Sequence, residues 1–408
     1  MSTFTKIAWR NITRNQYRSS ITIAAVAVGL ASLIFLKAFV DGADHQMVEN
    51  YTDLLIGHIQ VHKAGFQKNM GLEKSIADPE ALIASFKGTT GVSALAARVK
   101  DFCLISSPES SSGIVLFGID PVAERKVSNL HKRLRSGKFL DKEDHDKIII
   151  GKDLAEHLRV TTGDKVVLMS QGADGSLAAS AYEVCGIVEA GAEEIDKNLA
   201  LITLKAAQDL LVMNGKVSEI VVKAGSLETI DALAETLREK INTKKFEVLT
   251  WKEISPMTYQ WLQFDQVFTS LILFIVLLVV AAGILNTVLM GVLERTREFG
   301  IMLALGTKPS QITSMVTAES FFLGLIGVAF GSGLGLSFVI LFGVIGINLS
   351  AISSALNSFY IGSVIYPRMD VVSFVIYAAV VLLVSMIISI FPARKASRLS
   401  PIEAIRHI

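Results

Sequence analysis

The sequence predicts an α-helical membrane protein with four transmembrane helices and a large α+β extracytoplasmic domain between the first two. Three observations carry this. Half the chain is hydrophobic (51%), with a mean hydropathy of +0.49. Four apolar runs, at 21–42, 266–293, 315–345 and 371–391, reach the roughly 20 residues that a bilayer requires. Basic residues gather in the segments that alternate spans place on one side.

Residues 1–20 carry Lys6, Arg10, Arg14 and Arg18 and no acid. Their four-residue spacing makes one basic stripe on a helix, with Phe4, Ile7, Ala8 and Ile12 on other faces. That predicts a cytoplasmic amphipathic helix lying on anionic headgroups; a plain topogenic charge cluster explains the charges equally well. The first span, 21–42, holds Lys37 one turn from its end, where it can snorkel. It is too long for a signal-peptide core and lacks a small-residue cleavage site.

Residues 43–265 form the outside domain. Two stretches in it alternate strand, helix and strand: "HIQVHK", "DPEALIASF", "SALAARVKDFCLIS", and later "EIVVKA", "SLETIDALAETLREKI", "KFEVLTW". Together they predict a split α+β sandwich, with 108–214 inserted as a β-rich lobe. Within the insert, "GADGS" at 172–176 reads as a hairpin tip. His58, Gln60 and His62 share one strand face and are expected to be solvated, with Ile59 and Val61 turned to the core. No third ligand stands near the histidines, so no metal site is expected. Glu193, Glu194 and Asp196 read as a solvated acidic turn. Cys103 and Cys185 lie in apolar strands; a disulfide is open to them, and two buried thiols are the plainer reading.

After the second span, 266–293, residues 294–314 are too long and too structured for a connector. Glu294, Arg295, Arg297 and Glu298 open a helix that continues through Ile301, Met302, Leu303 and Leu305. Gly306 fits a left-handed cap, and Pro309 the start of the next helix. The third span, 315–345, carries Gly327, Gly331 and Gly335 four apart, a face for close helix packing within or between subunits. A short outside loop, 346–370, leads to the fourth span, 371–391, which Pro392 is expected to end. In the cytoplasmic tail 392–408, Ser400, Pro401 and Glu403 fit a capping box. The first basic segment, the 294–314 loop and the tail hold most of the flanking Lys and Arg, which predicts cytoplasmic termini. A net charge of +1 leaves no nucleic-acid footprint. No phosphate-binding loop, nucleophile elbow or H-E-x-x-H occurs, so no enzyme or cofactor site is expected in this chain.

This layout, with "ERTREFGIMLALGTKPSQI" and "FPARKASRLSPIEAIR", resembles the ABC transporter permeases of the MacB/FtsX-like family. In layout it is similar to the lipoprotein-releasing LolC/LolE permeases. The segments "IIIGKDLAEHLRVTTGDKVVLMS" and "EVCGIVE" resemble the family's outside domain, a porter-like lobe with an inserted lobe. The resemblance implies two permeases, identical or different, and a dimer of ATP-binding subunits that hold the ATP and Mg. With only residues 1–20 ahead of the first span, the ATPase is expected on a separate chain. The implied coupling residues are Glu294, Arg295, Arg297, Glu298, Gly300, Met302, Leu305 and Gly306. The implied function is extraction of lipoproteins from the outer leaflet of a bacterial inner membrane, by motion passed to the outside domain. Such a substrate needs a lateral apolar entrance, for which Phe35, Phe39, Val40, Val267, Phe268 and Leu271 are the candidates. The branch also implies a periplasmic carrier, although the matching loop, "SQGADGSLAASAYEV", is short and lacks prolines. Export of another amphiphile or peptide, and an FtsX-like signalling scaffold, are the alternatives.

Overall fold

The computed structural model describes residues 10, 12, 14, 16–357 and 359–398. It divides into two compact units. The predicted capping box at Ser400–Glu403 lies outside the described residues, as do Phe4, Lys6, Ile7 and Ala8.

The first unit holds the four long apolar helices: Gln16–Tyr51 (residues 16–44 of it), Pro256–Glu294 (from Leu262), Pro309–Ile345 and Val371–Ser397. All four are long and apolar enough to cross a membrane. All four run beyond the apolar stretches that announce them, because helix geometry continues wherever polar residues of good propensity follow. No break separates residues 16–20 from the first span. Nor does Pro392 end the fourth, which continues to Ser397 with the proline buried inside it. Val26, Leu30, Leu33, Ile34 and Ala38 of the first helix form the core with Leu273, Ile284, Val339 and Val381.

The second unit comprises residues 45–261 and 350–363. Its strands are β1 (Ile59–Lys63), β2 (Val92–Ser106), β3 (Ser111–Ile119), β4 (Leu134–Gly137), β5 (Lys147–Gly151), β6 (Lys165–Gln171), β7 (Leu177–Val188), β8 (Leu199–Thr203), β9 (Glu219–Ala224) and β10 (Phe246–Thr250). The order β10-β1-β9-β2 is antiparallel throughout, and helices Pro79–Phe86 and Ile230–Glu239 join its two strand–helix–strand halves. This is the predicted split α+β lobe.

The insert does not form a separate sheet. β2 is 15 residues long and pairs with β9 in its first half and with β3 and β6 in its second. From there pairing runs β2-β3-β8-β5-β7-β6 and back to β2, closing a six-stranded ring. Closure removes exposed strand edges. Val99, Ile105, Leu116, Ile150, Leu168 and Ile202 are fully or almost fully buried in its core. The hairpin tip falls at residues 172–176, between β6 and β7. The insert also carries four short helices: Pro121–Val127, Lys152–Leu158, Glu193–Asn198 and Leu204–Leu210. No sequence pattern announces them, since helices of six or seven residues leave too little periodicity to read.

Two expectations fail here. Glu193–Asn198 is a helix rather than a solvated turn, and Asp196 is buried, accepting from Ala190 N–H (2.7 Å) and Gly191 N–H (3.1 Å). His58, Gln60 and His62 are buried, not solvated. His58 Nδ1 accepts from Ala224 N–H at 3.0 Å, and a His62 ring nitrogen bonds the Gln60 amide oxygen at 2.9 Å. His62 also stacks on Phe66. Both faces of β1 are covered, so alternation along it separates two interiors instead of core from water. Burial holds both histidines below their ordinary pKa, and no group of metal ligands occurs among the described residues. Next to His62 across the sheet, Glu219 faces Arg98, which is fully buried. Burial opposes that charge, but the carboxylates of Glu124 (2.7 and 2.9 Å) and Glu219 (3.4 Å) outweigh it and keep the guanidinium protonated. Cys103 and Cys185 are free thiols. Burial pushes them up to about 12 and about 11, so neither is a ready nucleophile.

Candidate functional site: a clamped surface helix

The helix expected between the second and third spans is present as Thr296–Ala304. Its start differs from the expectation. Glu294 is the last residue of the second long helix, and Arg295 (φ −105°) is the single break before the new helix begins. Its end follows the sequence signals closely. Gly306 takes φ +91°, Gly306 N–H reaches Leu303 O (3.0 Å) and Thr307 N–H reaches Met302 O (3.0 Å). That is the paired bonding of a glycine-terminated helix. Lys308 then caps the third span, its N–H bonding the Gln311 side chain at 2.9 Å, with Pro309 in the first turn.

One face of this helix is fixed. Phe299 is 1% exposed and packs with Val292, Ile312, Met315, Val316 and Ala393, while Met302 and Leu303 lie against the same cluster. Gly300 is buried too. Polar contacts reinforce the clamp. Glu319, 6% exposed near the start of the third long helix, takes Arg18 of the first at 2.7 Å and Arg295 at 3.0 Å. Arg18 also lies 3.9 Å from Glu294 and donates to Gly291 O. Arg295 bonds Glu298 at 2.8 Å and lies over the Phe299 ring. Arg14 bonds Glu298 at 3.2 Å. Burial alone would raise Glu298; the two guanidiniums outweigh it and hold its carboxyl below the ordinary range. Arg14 and Arg18 are therefore not free to lie on headgroups as the stripe suggested. They hold the surface helix.

The opposite face is open. Arg297, Ile301, Ala304, Leu305 and Lys308 are exposed, Leu305 at 82%. Spacings of three and four put Arg297, Ile301 and Ala304 on one side of the helix, with Leu305 at its C-cap; Lys308 follows beyond the Gly306 turn. The eight predicted residues thus sort into two sets: Arg297, Leu305 and Gly306 are exposed, whereas Arg295, Gly300 and Met302 are turned inward and Glu294 and Glu298 serve the ion network. Arg18 and Glu319 complete that network and were missed. The signal was present, since Glu319 is an acid within "SMVTAESFFLG", an otherwise apolar or small run.

The glycines of the third span pack within the chain. A Cβ on Gly327 would lie 2.6 Å from Val26 Cβ, one on Gly331 2.7 Å from Ala27 O, and one on Gly335 3.1 Å from Ile34 Cβ. The first helix rests on this stripe. The six candidates for a lateral entrance have different surroundings. Phe35 packs against Phe338 and Phe342. Phe39 and Val40 are half-buried, and Val267, Phe268 and Leu271 are exposed.

Four membrane-type helices, a clamped helix between the second and third, and a two-lobed α+β domain between the first two define a transporter permease. Comparison with known proteins gives the same class. Residues 19–240, more than half of the chain, match the MacB-like periplasmic core domain, and residues 270–401 match the FtsX-like permease C-terminal family. The chain belongs to the MacB/FtsX-like family of ABC transporter permeases. It is 24% identical to the lipoprotein-releasing system transmembrane protein LolC of Neisseria meningitidis, over 97% of this chain and 96% of that one. It is 25% identical to an ABC transporter permease of Methanocaldococcus jannaschii, over 98% and 96%. A macrolide export ATP-binding/permease protein, MacB of Nitrobacter winogradskyi, is 25% identical over 96% of this chain but only 58% of its own length.

Proposed function

We propose that this chain is the non-catalytic permease subunit of an ABC transporter of a bacterial inner membrane, and that a separate ATP-binding chain drives it to extract lipoproteins from the outer leaflet. The observation that carries the reading is the surface helix. It is fixed to three long helices on one side and presents Arg297, Ile301 and Leu305 on the other. A helix held this way receives force without yielding and passes it to the spans. ATP and Mg belong to the partner dimer, whose groove takes the open face, and two permeases complete the assembly. Lipoprotein as substrate is favoured by the end-to-end match to LolC. Its acyl chains would enter beside the half-buried Phe39 and the exposed Phe268; each buried CH₂ contributes about 0.8 kcal/mol. A periplasmic carrier would then accept the cargo.

Export of another amphiphile is the second reading, favoured by the match of residues 19–240 to the MacB-like domain. The test is co-expression of the full chain with the ATP-binding subunit from its own genome, purification in lipid discs, and mass spectrometry of bound material. Triacylated protein released on ATP addition supports lipoprotein extraction. Recovery of a non-acylated peptide or small amphiphile instead supports the second reading. Failure to bind any ATP-binding subunit overturns both.

A further inference from the structure

The extracytoplasmic domain holds a cleft of about 320 Å³ that the permease reading does not use. Its size is at the lower end for small-molecule sites. The floor is one face of the β2–β3 pair, where Lys100 sits opposite Phe117 and Phe102 opposite Val115. Tyr51, Ile195, Leu199 and Tyr360 contribute to the walls. The walls are more apolar than polar, which suits a ligand with a hydrocarbon body.

Lys100 is the odd residue. It is half-buried, and its ammonium lies 5.7 Å from the Phe117 ring centroid. Among the described residues it makes no ion pair. The Phe117 ring face offsets only part of the cost of a half-buried ammonium that has no carboxylate, and an anion would offset the rest. Glu194 stands at the rim of the cleft, exposed, and does not reach the ammonium. From Lys100 the same strand face continues outward through Phe102 (60% exposed) and Leu104 (42% exposed). A cation at the inner end and exposed apolar side chains leading away are complementary to a molecule with an anionic head and a single hydrocarbon tail.

We propose that this cleft binds a single-chain anionic amphiphile, with its carboxylate or phosphate on Lys100 and its chain along Phe102 and Leu104. The inference stands on the domain alone and does not depend on which cargo the permease moves.

The test uses the full chain in lipid discs and a dodecanoate carrying a photoreactive diazirine at its far end. Labelled peptides are mapped by mass spectrometry. Labelling is expected on the peptides containing residues 100–106 and 194–199, in addition to background in the spans. Unlabelled dodecanoate and dodecyl phosphate should both compete it away, and dodecyltrimethylammonium should not. Lys100→Met should reduce cleft labelling about tenfold, as expected for loss of a bond to a charged group, and Lys100→Arg should retain most of it. The competition arm uses the unaltered protein, so it stands even if Lys100→Met folds poorly. Label confined to the spans, equal competition by the quaternary ammonium, or full cleft labelling in a well-folded Lys100→Met protein would overturn the proposal.

Discussion

Replacing Glu319 by glutamine should loosen the surface helix without changing shape or volume. Glu319 is 6% exposed and takes two guanidiniums, from Arg18 at 2.7 Å and Arg295 at 3.0 Å. Those arginine side chains are only 15% and 13% exposed, so water compensates them poorly. Removing one partner of a buried pair typically costs about 3–5 kcal/mol. Here Glu298 remains at 2.8 Å from Arg295 and Glu294 at 3.9 Å from Arg18, which places the cost near the lower end, about 3 kcal/mol. Reversible unfolding in mixed micelles measures it. A cycle of Arg18→Gln and Glu319→Gln should give a coupling of about 2 kcal/mol, within the range for residues in direct contact. ATP hydrolysis by the bound partner should become insensitive to substrate in Glu319→Gln. Additive single changes, with a coupling below about 0.5 kcal/mol, would refute the idea that this carboxylate ties the surface helix to the first and third spans.

Gly331→Leu should abolish accumulation in the membrane, because even a Cβ would meet Ala27 O at 2.7 Å; Gly333→Ala, with nothing within 4 Å, should be neutral or stabilising, as membrane-fraction blots and melting would report. Acidification should weaken the outside domain through His62. Burial depresses its folded pKa, so its contribution is fully present above the unfolded value near 6.5 and is lost as pH falls below it; a His62→Gln protein should show a flatter fall in melting temperature between pH 7.5 and 5.5, and an unchanged slope would contradict this. Cys103 and Cys185 should resist alkylation in the native protein and react quickly in denaturant, whereas rapid native labelling would contradict thiols pushed up by burial. Met302→Pro should disrupt the surface helix at a cost of about 3 kcal/mol or more, read as lost ATPase retention with protein still in the membrane.

Much of this was legible because the signals are local. The four spans, the glycine cap at Gly306, the proline start at Pro309 and the hairpin tip at 172–176 each follow from a few adjacent residues. Helix ends were less legible, since Gln16–Tyr51 extends into polar sequence and Pro392 is accommodated inside its helix. What depends on distant partners was hidden. The alternation at His58, Gln60 and His62 marks two faces, but only the fold reveals that both are covered. Arg14 and Arg18 look like a headgroup stripe until Glu298 and Glu319, some 300 positions away, arrive beside them. Closure of the inserted lobe depends on β6 meeting β2, a pairing no local pattern announces.

The most direct test of the coupling account is retention of the ATP-binding subunit by the open face of the surface helix. Leu305 is 82% exposed and Ile301 45%, so Leu305→Asp and Ile301→Asp alter a surface and spare the core. The full chain and its tagged ATP-binding partner would be purified together and their ratio measured, with Val122→Asp, 54% exposed in the outside domain, as control. The account predicts that both surface-helix variants fold and melt like the parent but retain the partner at least tenfold less well, about 1.4 kcal/mol of interface, while the control retains it fully. Parental retention in Leu305→Asp and Ile301→Asp would contradict the claim that this helix is where the ATPase acts.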